Sequence, residues 1–355
     1  MIATSQSAPC RLVVVAPVYD DAAAAARLLE NLQRAFAGAD VSLRVLLIDD
    51  GSPVPLARQL QLPPGTKAEV LRLRRNVGHQ RAIALAAAYV RDHVPCDAMI
   101  VMDADGEDRP EDAATLVANC RVSSWQRIVF AERSRRSESA LFQVFYRLYQ
   151  LLHWLLTGVR VRVGNFSVVP ASRLGALVTL PALWNHYAAA VFQARLPREL
   201  VPIARGTRYS GGSKMNFVSL VVHGLQAISV FVEVVAVRLL FLVCFASAMC
   251  AGLLGLALAT PALAAIGAPV WTVYALGGLT FASVCVALGS FGVTLGLLAQ
   301  RNSLDFIPAR DYTFFVEGVC KLPAESDSEH APFQEWRGRS SPVLRPEGAE
   351  SRLQP

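Results

Sequence analysis

The chain has 355 residues, 53% of them hydrophobic and 17% charged, with a formal net charge of +6 at pH 7. A mean hydropathy of +0.37 excludes an ordinary water-soluble enzyme, and the length admits about two domains. The basic balance suits anionic lipid or phosphate ligands, but no clustered Lys/Arg tract marks a nucleic-acid binder. Seven cysteines without a Cys-x-x-Cys pair argue against a disulfide framework and a zinc site.

RLVVVAPVYDD reads as a strand ending at Pro17; it is too short for the apolar core of a signal peptide. AAAAARLLENLQRAF is helical by propensity. SLRVLLIDDGSP is a second strand, closing on two carboxylates and a Gly-Ser-Pro turn. AEVLRLRRNVG is a third strand, HQRAIALAAAYVRDH a helix and DAMIVMDADG a fourth strand. This alternation predicts a mainly parallel sheet covered by helices, with ligands at the carboxyl ends of its strands. Three strands end in acids, Asp20 with Asp21, Asp49 with Asp50, and Asp103 with Asp105, so one sheet edge gathers them all.

Further on, ALFQVFYRLYQLLHWLL sets Leu141, Phe145, Leu148, Leu152 and Leu155 at helical spacing, with Arg147, Gln150 and His153 elsewhere on the wheel. Such a helix either packs on the sheet domain or lies in a membrane interface. NFVSLVVHGLQAISVFVEVV is apolar almost all round and reads as a helix at the membrane surface. Residues 239–259 and 270–299 carry no charge at all, and 21 helical residues rise about 31 Å, the thickness of a hydrocarbon core. Two transmembrane helices are therefore expected. Arg238 and Arg301 flank them while the linker TPALAAIGAP is uncharged, which predicts a cytoplasmic location for both ends of the chain. From residue 301 the chain mixes Pro, Ser and charges; beyond an early stretch near the membrane it reads as disordered. The expected organisation is a catalytic domain over 1–215, a juxtamembrane helix over 216–238, two spans over 239–300 and a cytoplasmic tail over 301–355.

The segment MIVMDADGEDRP drives a buried strand into a run of acids. Carboxylates this close raise one another's pKa unless a cation sits among them. Asp103 and Asp105, two apart at a strand end, suit Mg2+ or Mn2+, hard ions that keep waters and bind a substrate's phosphates. An EF-hand register fails, because its sixth position would be Asp108 and its twelfth Ala114. The plainer alternative is an exposed acidic turn before a helix. The second motif, RYSGGSK over 208–214, joins two glycines to a Ser and two cations that can engage phosphate oxygens. Its spacing is not that of a P-loop; the plainer alternative there is a flexible basic loop beside lipid headgroups.

Taken in order, APVYDD, LLIDDGSP, RNVGHQRAIALA, MDADGEDRPED and RYSGGSK, followed by two C-terminal spans, resemble a family 2 glycosyltransferase of GT-A fold, in the group of dolichyl-phosphate mannose synthase and bacterial polyprenyl-phosphate glycosyltransferases. The resemblance covers roughly residues 10–300. It implies that Pro17, Tyr19 and Asp21 line the nucleoside pocket, Asp21 standing where the family often has Glu. Asp49 would contact the base. Asp103 and Asp105 would hold the metal and the diphosphate, with Ala104 between them at the nucleotide. Glu107, where relatives commonly carry Gln, would be a third ligand. Arg133, or its neighbours Arg135 and Arg136, would meet phosphate, as would Arg208, Ser213 and Lys214 of the basic loop. VGNFSVV departs from the Gly-Asp-Phe of many relatives at Asn165.

The resemblance further implies inverting transfer of one sugar from a UDP- or GDP-linked donor to a polyprenyl phosphate at the cytoplasmic face of the inner membrane, with self-association through the spans an option. Such an acceptor is already an anion near neutral pH and needs no general base, and the sequence offers no obvious one. Two alternatives stand beside this reading: a processive polysaccharide synthase, which would need a Gln-x-x-Arg-Trp motif where the chain has only a late QEWRG, and a non-catalytic membrane scaffold.

Overall fold

The computed structural model of the protein describes residues 9–62, 65–133, 140–160, 163–204, 206–209, 217–258, 271–300, 306–323 and 334–335. Strands β1 (Cys10–Val18), β2 (Val41–Asp49), β3 (Ala68–Leu73) and β4 (Ala98–Val101) pair in parallel, with β1 between β2 and β4 and β3 outside β2. Helices α1 (Ala22–Ala35), α3 (His79–His93) and α4 (Pro110–Val122) make the crossovers; α2 (Leu56–Gln59) is a single turn after β2. Beyond β4 come β6 (Val163–Pro170), β5 (Ile128–Arg133) and β7 (Arg198–Ile203). Within this part of the sheet only β6 runs against the rest. The expected α/β fold with a mainly parallel sheet is the one observed.

Period-two alternation along the strands splits the core into two layers. Val13, Val15, Leu46 and Ile48 face α3 and α7 (Tyr187–Gln193). Leu12, Val14, Leu47 and Ile100 face α1 and α4. Every residue from Ala82 to Val90 of α3 is buried, so this Ala-rich helix reaches the sheet closely over its whole middle.

The carboxyl edge is tied together by its own acids. Asp49 is fully buried: Oδ1 accepts from Ser52 N at 2.9 Å, while Oδ2 accepts from Leu56 N and from Arg72 Nη1, both at 3.0 Å. Asp50 accepts from the backbone N–H groups of Val77 and Gly78 at 2.8 and 3.0 Å, fastening the loop before α3. Burial raises the Asp50 pKa despite those bonds. Gly51 follows the two acids at φ +70°, where a Cβ would come within 2.4 Å of the Arg75 carbonyl carbon, so only glycine lets this turn meet the loop before α3.

The C-terminal part differs from expectation in two places. The segment after the spans supplies β8 (Val316–Leu322), which pairs antiparallel with β3 at the sheet edge. The short helix Pro308–Asp311 before it leans on α3, with Arg91 Nη2 reaching Ala309 O at 3.1 Å. Residues 308–322, expected within the tail, therefore pack on the sheet domain. The juxtamembrane stretch is also not one helix running into a span: α8 (Phe217–Ser229) stops, and α9 (Val232–Leu258) starts after a break.

Within α9 and the helix Trp271–Gln300, the windows Val232–Leu253 and Tyr274–Gly296 have mean hydropathies of 2.4 and 1.8 and are long and apolar enough to cross a membrane. Phe241, Phe245, Phe281, Leu288 and Phe291 point outward, an apolar surface that needs lipid rather than water around it. Ser290 and Thr294 return their hydroxyls to Val286 O and Ser290 O, so both are satisfied within their own helix. Next to this pair lies α5 (Ala140–Thr157), whose last carbonyls, at Trp154 and Leu155, accept from Arg238 Nη1 of α9 at 3.4 and 2.6 Å. A cation belongs at that end of a helix.

Candidate active site

The turn after β4 carries the acids singled out by sequence. The Asp103 N–H donates to Asp108 Oδ2 at 2.9 Å, and the Glu107 N–H to Asp105 Oδ1 at 3.0 Å, so the loop curls back on its own carboxylates. Ala104 is buried beneath them. Segment 206–209, from the start of the basic motif, folds over this turn. The Gly206 N–H donates to Glu107 O at 2.9 Å and the Tyr209 N–H to Asp105 O at 2.8 Å. The Tyr209 ring covers Gly106, whose φ of +93° and lack of Cβ permit a contact that any side chain would bring to 2.8 Å. Asn31 and Arg27 of α1 hold Tyr209 through its hydroxyl and carbonyl at 2.9 and 2.7 Å.

Arg208 is thereby set between two carboxylates. Its Nη2 lies 2.9 Å from Asp105 Oδ2 and its Nε 2.9 Å from Glu107 Oε1. Burial raises the Asp105 pKa, and the charges of Asp103 and Glu107 add to the effect, while the Glu107 N–H and Arg208 oppose it. A cation at this turn relieves that strain; Arg208 already does so in part.

The other predicted residues are distributed as follows. Pro17 is buried in β1 beside Ile48, and Tyr19 stands exposed at the end of that strand. Asp21 caps α1, accepting from Ala24 N at 3.1 Å. Asp49 lies on the same edge, committed to the turn as described above. Arg133 ends β5 opposite Ile203. Ser213 and Lys214, like Arg135 and Arg136, lie outside the described residues.

Sequence reasoning missed His79. Its Nε2 is 3.0 Å from Asp103 Oδ1 and 3.0 Å from Asn165 Nδ2. Gln80 Nε2 in turn donates to Asn165 Oδ1 at 3.0 Å, and Gln80 Oε1 accepts from Tyr187 N at 2.7 Å. That backbone donor fixes the amide orientations along the chain of bonds. Partial removal from water works to lower the His79 pKa; Asp103, backed by Asp108 and Asp105, overcomes it and raises it. The available signal was a His-Gln pair opening a helix otherwise built for burial. Asn165, which lacks the acid of many relatives, carries hydrogen bonds rather than charge.

On α5, His153 is buried, its Nδ1 3.0 Å from Val159 O, while Arg147 on the same helix is exposed. His186 and His223 face one another with ring centroids 4.8 Å apart. Burial holds His186 well below the ordinary imidazole value, with His223, His153 and His79 adding to the effect, and burial likewise lowers His223 and His153. The sign follows from linkage: rings neutral in the fold but free to charge when unfolded contribute stability above about pH 6.5, lost as pH falls. His79, raised, works the other way. Three lowered rings against one predict a Tm that drops between about pH 6.5 and 5.5, with a shallower drop in His186→Asn. An unchanged slope in that variant would contradict it.

Among the described residues, no three His, Cys, Asp or Glu side chains are arranged as a ready metal cage. The donor set still fits Mg2+ or Mn2+, which take one or two carboxylates and complete their shell with water and substrate phosphate. Residues 13–138 match the model of glycosyl transferase family 2. Over these residues the chain carries a family 2 glycosyltransferase domain. The transferase is 25% identical over 334 residues to the undecaprenyl-phosphate 4-deoxy-4-formamido-L-arabinose transferase of Klebsiella pneumoniae subsp. pneumoniae, covering 90% of this chain and 96% of that one. It is 26% identical over 306 residues to the protein of the same name from Edwardsiella ictaluri, covering 80% and 88% respectively. Among solved structures, mannosyl-3-phosphoglycerate synthase from Rubrobacter xylanophilus aligns with a TM-score of 0.45 at 16% identity, over 65% of this chain and 74% of that one.

Proposed function

We propose that the transferase moves a single sugar, with inversion, from a nucleotide-sugar to a polyprenyl phosphate at the cytoplasmic face of the inner membrane. The observation that carries this reading is the joining of Asp105 and Glu107 to Arg208 at one sheet edge, with Asp103 in the same turn, in a chain that goes on to two outward-facing apolar helices. The names of the two relatives support the acceptor class.

Asp103 and Asp105, with Glu107 beside them, would hold Mg2+ or Mn2+, and that ion would supply charge to stabilise a departing nucleoside diphosphate. Arg208 is placed to turn its guanidinium from carboxylate to diphosphate oxygens, with Ser213 and Lys214 further along the same motif and Arg133 at the end of β5. Pro17, Tyr19, Asp21 and Asp49 occupy the strand ends where the nucleoside would lie. The acceptor phosphate oxygen is the nucleophile and arrives ionised, so no residue needs to take its proton.

The rival synthase reading is weakened by the place of QEWRG, whose Gln334–Glu335 forms a two-residue strand outside β8, with β1, β2, β3 and β8 between it and β4. The scaffold reading is weakened by the survival of both acids and of Arg208 in contact. The test is a screen of labelled UDP- and GDP-sugars with membranes containing the protein and undecaprenyl phosphate. The expected product is an extractable lipid bearing one sugar, absent when metal is chelated and restored by Mg2+ or Mn2+. A polymer, or no labelled lipid with any donor, would refute the proposal.

A further inference from the structure

Arg208 has two partners to serve: the carboxylates of Asp105 and Glu107 that it meets here, and the diphosphate oxygens it turns to in the proposed transfer. A side chain can swing between two such stations only from a main chain that stays in place. The residue that fixes the main chain is the next one, Tyr209, and helix α1 fixes Tyr209.

One face of α1 holds Tyr209 at both ends. Arg27 Nη1 donates to its carbonyl at 2.7 Å and Asn31 Nδ2 to its hydroxyl at 2.9 Å. Residues i and i+4 share a helix face and stand about 6 Å apart along it, a spacing that lets one pair grip the two ends of a tyrosine. The Asn31 amide is oriented, because its Oδ1 accepts from Arg34 Nη1 at 3.0 Å and leaves Nδ2 for the phenol. The Tyr209 ring packs on the core layer that faces α1 and α4 and covers Gly106. Its N–H donates to Asp105 O at 2.8 Å. The residue is thus tied to α1, to the core and to the acidic turn at once. Arg27 and Asn31 lie off the buried face of α1, which is built from Ala25, Leu28, Leu29 and Leu32, so seating the helix does not depend on them.

We propose that Tyr209, with Asn31 and Arg27 behind it, is the positioning residue for Arg208: it holds the pivot from which the guanidinium passes from carboxylates to diphosphate. This rests on the role of Arg208 in the transfer proposed above. The geometry gives the proposal a sign. Arg208 competes with a divalent cation for Asp105 and Glu107 until a diphosphate draws it away. With Tyr209 as the pivot, loosening Tyr209 relieves that competition, and Mn2+ alone binds more tightly. With Tyr209 as a mere prop of the acidic turn, loosening it scatters the carboxylates, and Mn2+ alone binds more weakly.

The experiment uses the full chain in lipid nanodiscs. Mn2+ alone is titrated by electron paramagnetic resonance, and UDP and GDP are titrated at saturating Mn2+. Asn31→Ala and Tyr209→Phe delete the same hydrogen bond from its two sides and keep both the helix and the ring, which guards the fold. Tyr209→Ala removes the ring as well. Each of the first two is expected to tighten Mn2+ binding and to weaken nucleotide binding by about fivefold, the size of one neutral hydrogen bond, and Tyr209→Ala by about tenfold or more. Beside Arg208→Ala, all three should change neither affinity further, because the group they position is gone. Wild-type affinities in all three variants, weakened Mn2+ binding, or effects that persist beside Arg208→Ala overturn the positioning role and leave the transferase reading standing. An Arg208→Ala protein with wild-type affinity for Mn2+ and for both nucleotides overturns the role of Arg208, and the proposal with it.

Discussion

Asp105→Asn is expected to lower sugar transfer by about 10³-fold or more while leaving the protein folded. Two properties of Asp105 make the substitution informative. One carboxylate oxygen accepts from the Glu107 N–H, a bond that an asparagine Oδ1 can keep, so the turn retains its shape. The other meets Arg208 and is crowded by Asp103 and Glu107, a loss of attraction and a loss of repulsion that largely cancel. Stability should therefore change by no more than about 1 kcal/mol, the usual scale for a partly solvated ion pair. The missing charge matters only when a cation and a diphosphate occupy the site. Activity within tenfold of wild type would remove Asp105 from the mechanism.

Arg208→Ala is expected to reduce kcat by about 10²–10³-fold, the scale set by removing one preorganised donor from a developing anion. The loop around it should stay in place. Gly206 and Tyr209 hold the acidic turn through backbone bonds, and Arg27 and Asn31 hold Tyr209 independently. A second effect has the opposite sign. Arg208 is the counter-cation of Asp105 and Glu107, so its removal should tighten Mn2+ binding in the absence of nucleotide. Arg208→Lys should recover little, because a single ammonium cannot reproduce a fork that reaches two carboxylates through Nε and Nη2. Normal turnover with weakened Mn2+ binding would mean that Arg208 only props the turn.

Much of this arrangement was legible in sequence because local signals agreed. β1, β2 and β4 each combine a β-branched apolar run with an acidic stop, so the acid-bearing edge could be read before the sheet was seen. The Asp-x-Asp turn and the basic motif were found separately, yet nothing in their spacing says that Arg208 bridges Asp105 and Glu107; that follows from how segment 206–209 crosses the turn.

β8 was missed for a related reason. VEGVCKL alternates over only seven residues and becomes a strand because β3 offers an open edge, which is a fact about tertiary structure. The surroundings of His153 were not legible, because a helical wheel shows which residues share a face but not which neighbour covers them. Here Phe231, from the break between α8 and α9, closes over the ring, and that break has no Pro or Gly to announce it.

The measurement that bears most directly on the central claim is nucleotide binding as a function of metal. Full-length protein in nanodiscs is titrated with UDP and GDP by calorimetry, with Mn2+ or with chelator, for the wild type, Asp103→Asn and Asp105→Asn. The account predicts that one of the two nucleotides binds the wild type only when Mn2+ is present, and that either substitution abolishes that binding while the thermal unfolding curve is kept. Equal affinity with Mn2+ and with chelator, or unchanged binding in both variants, would contradict it.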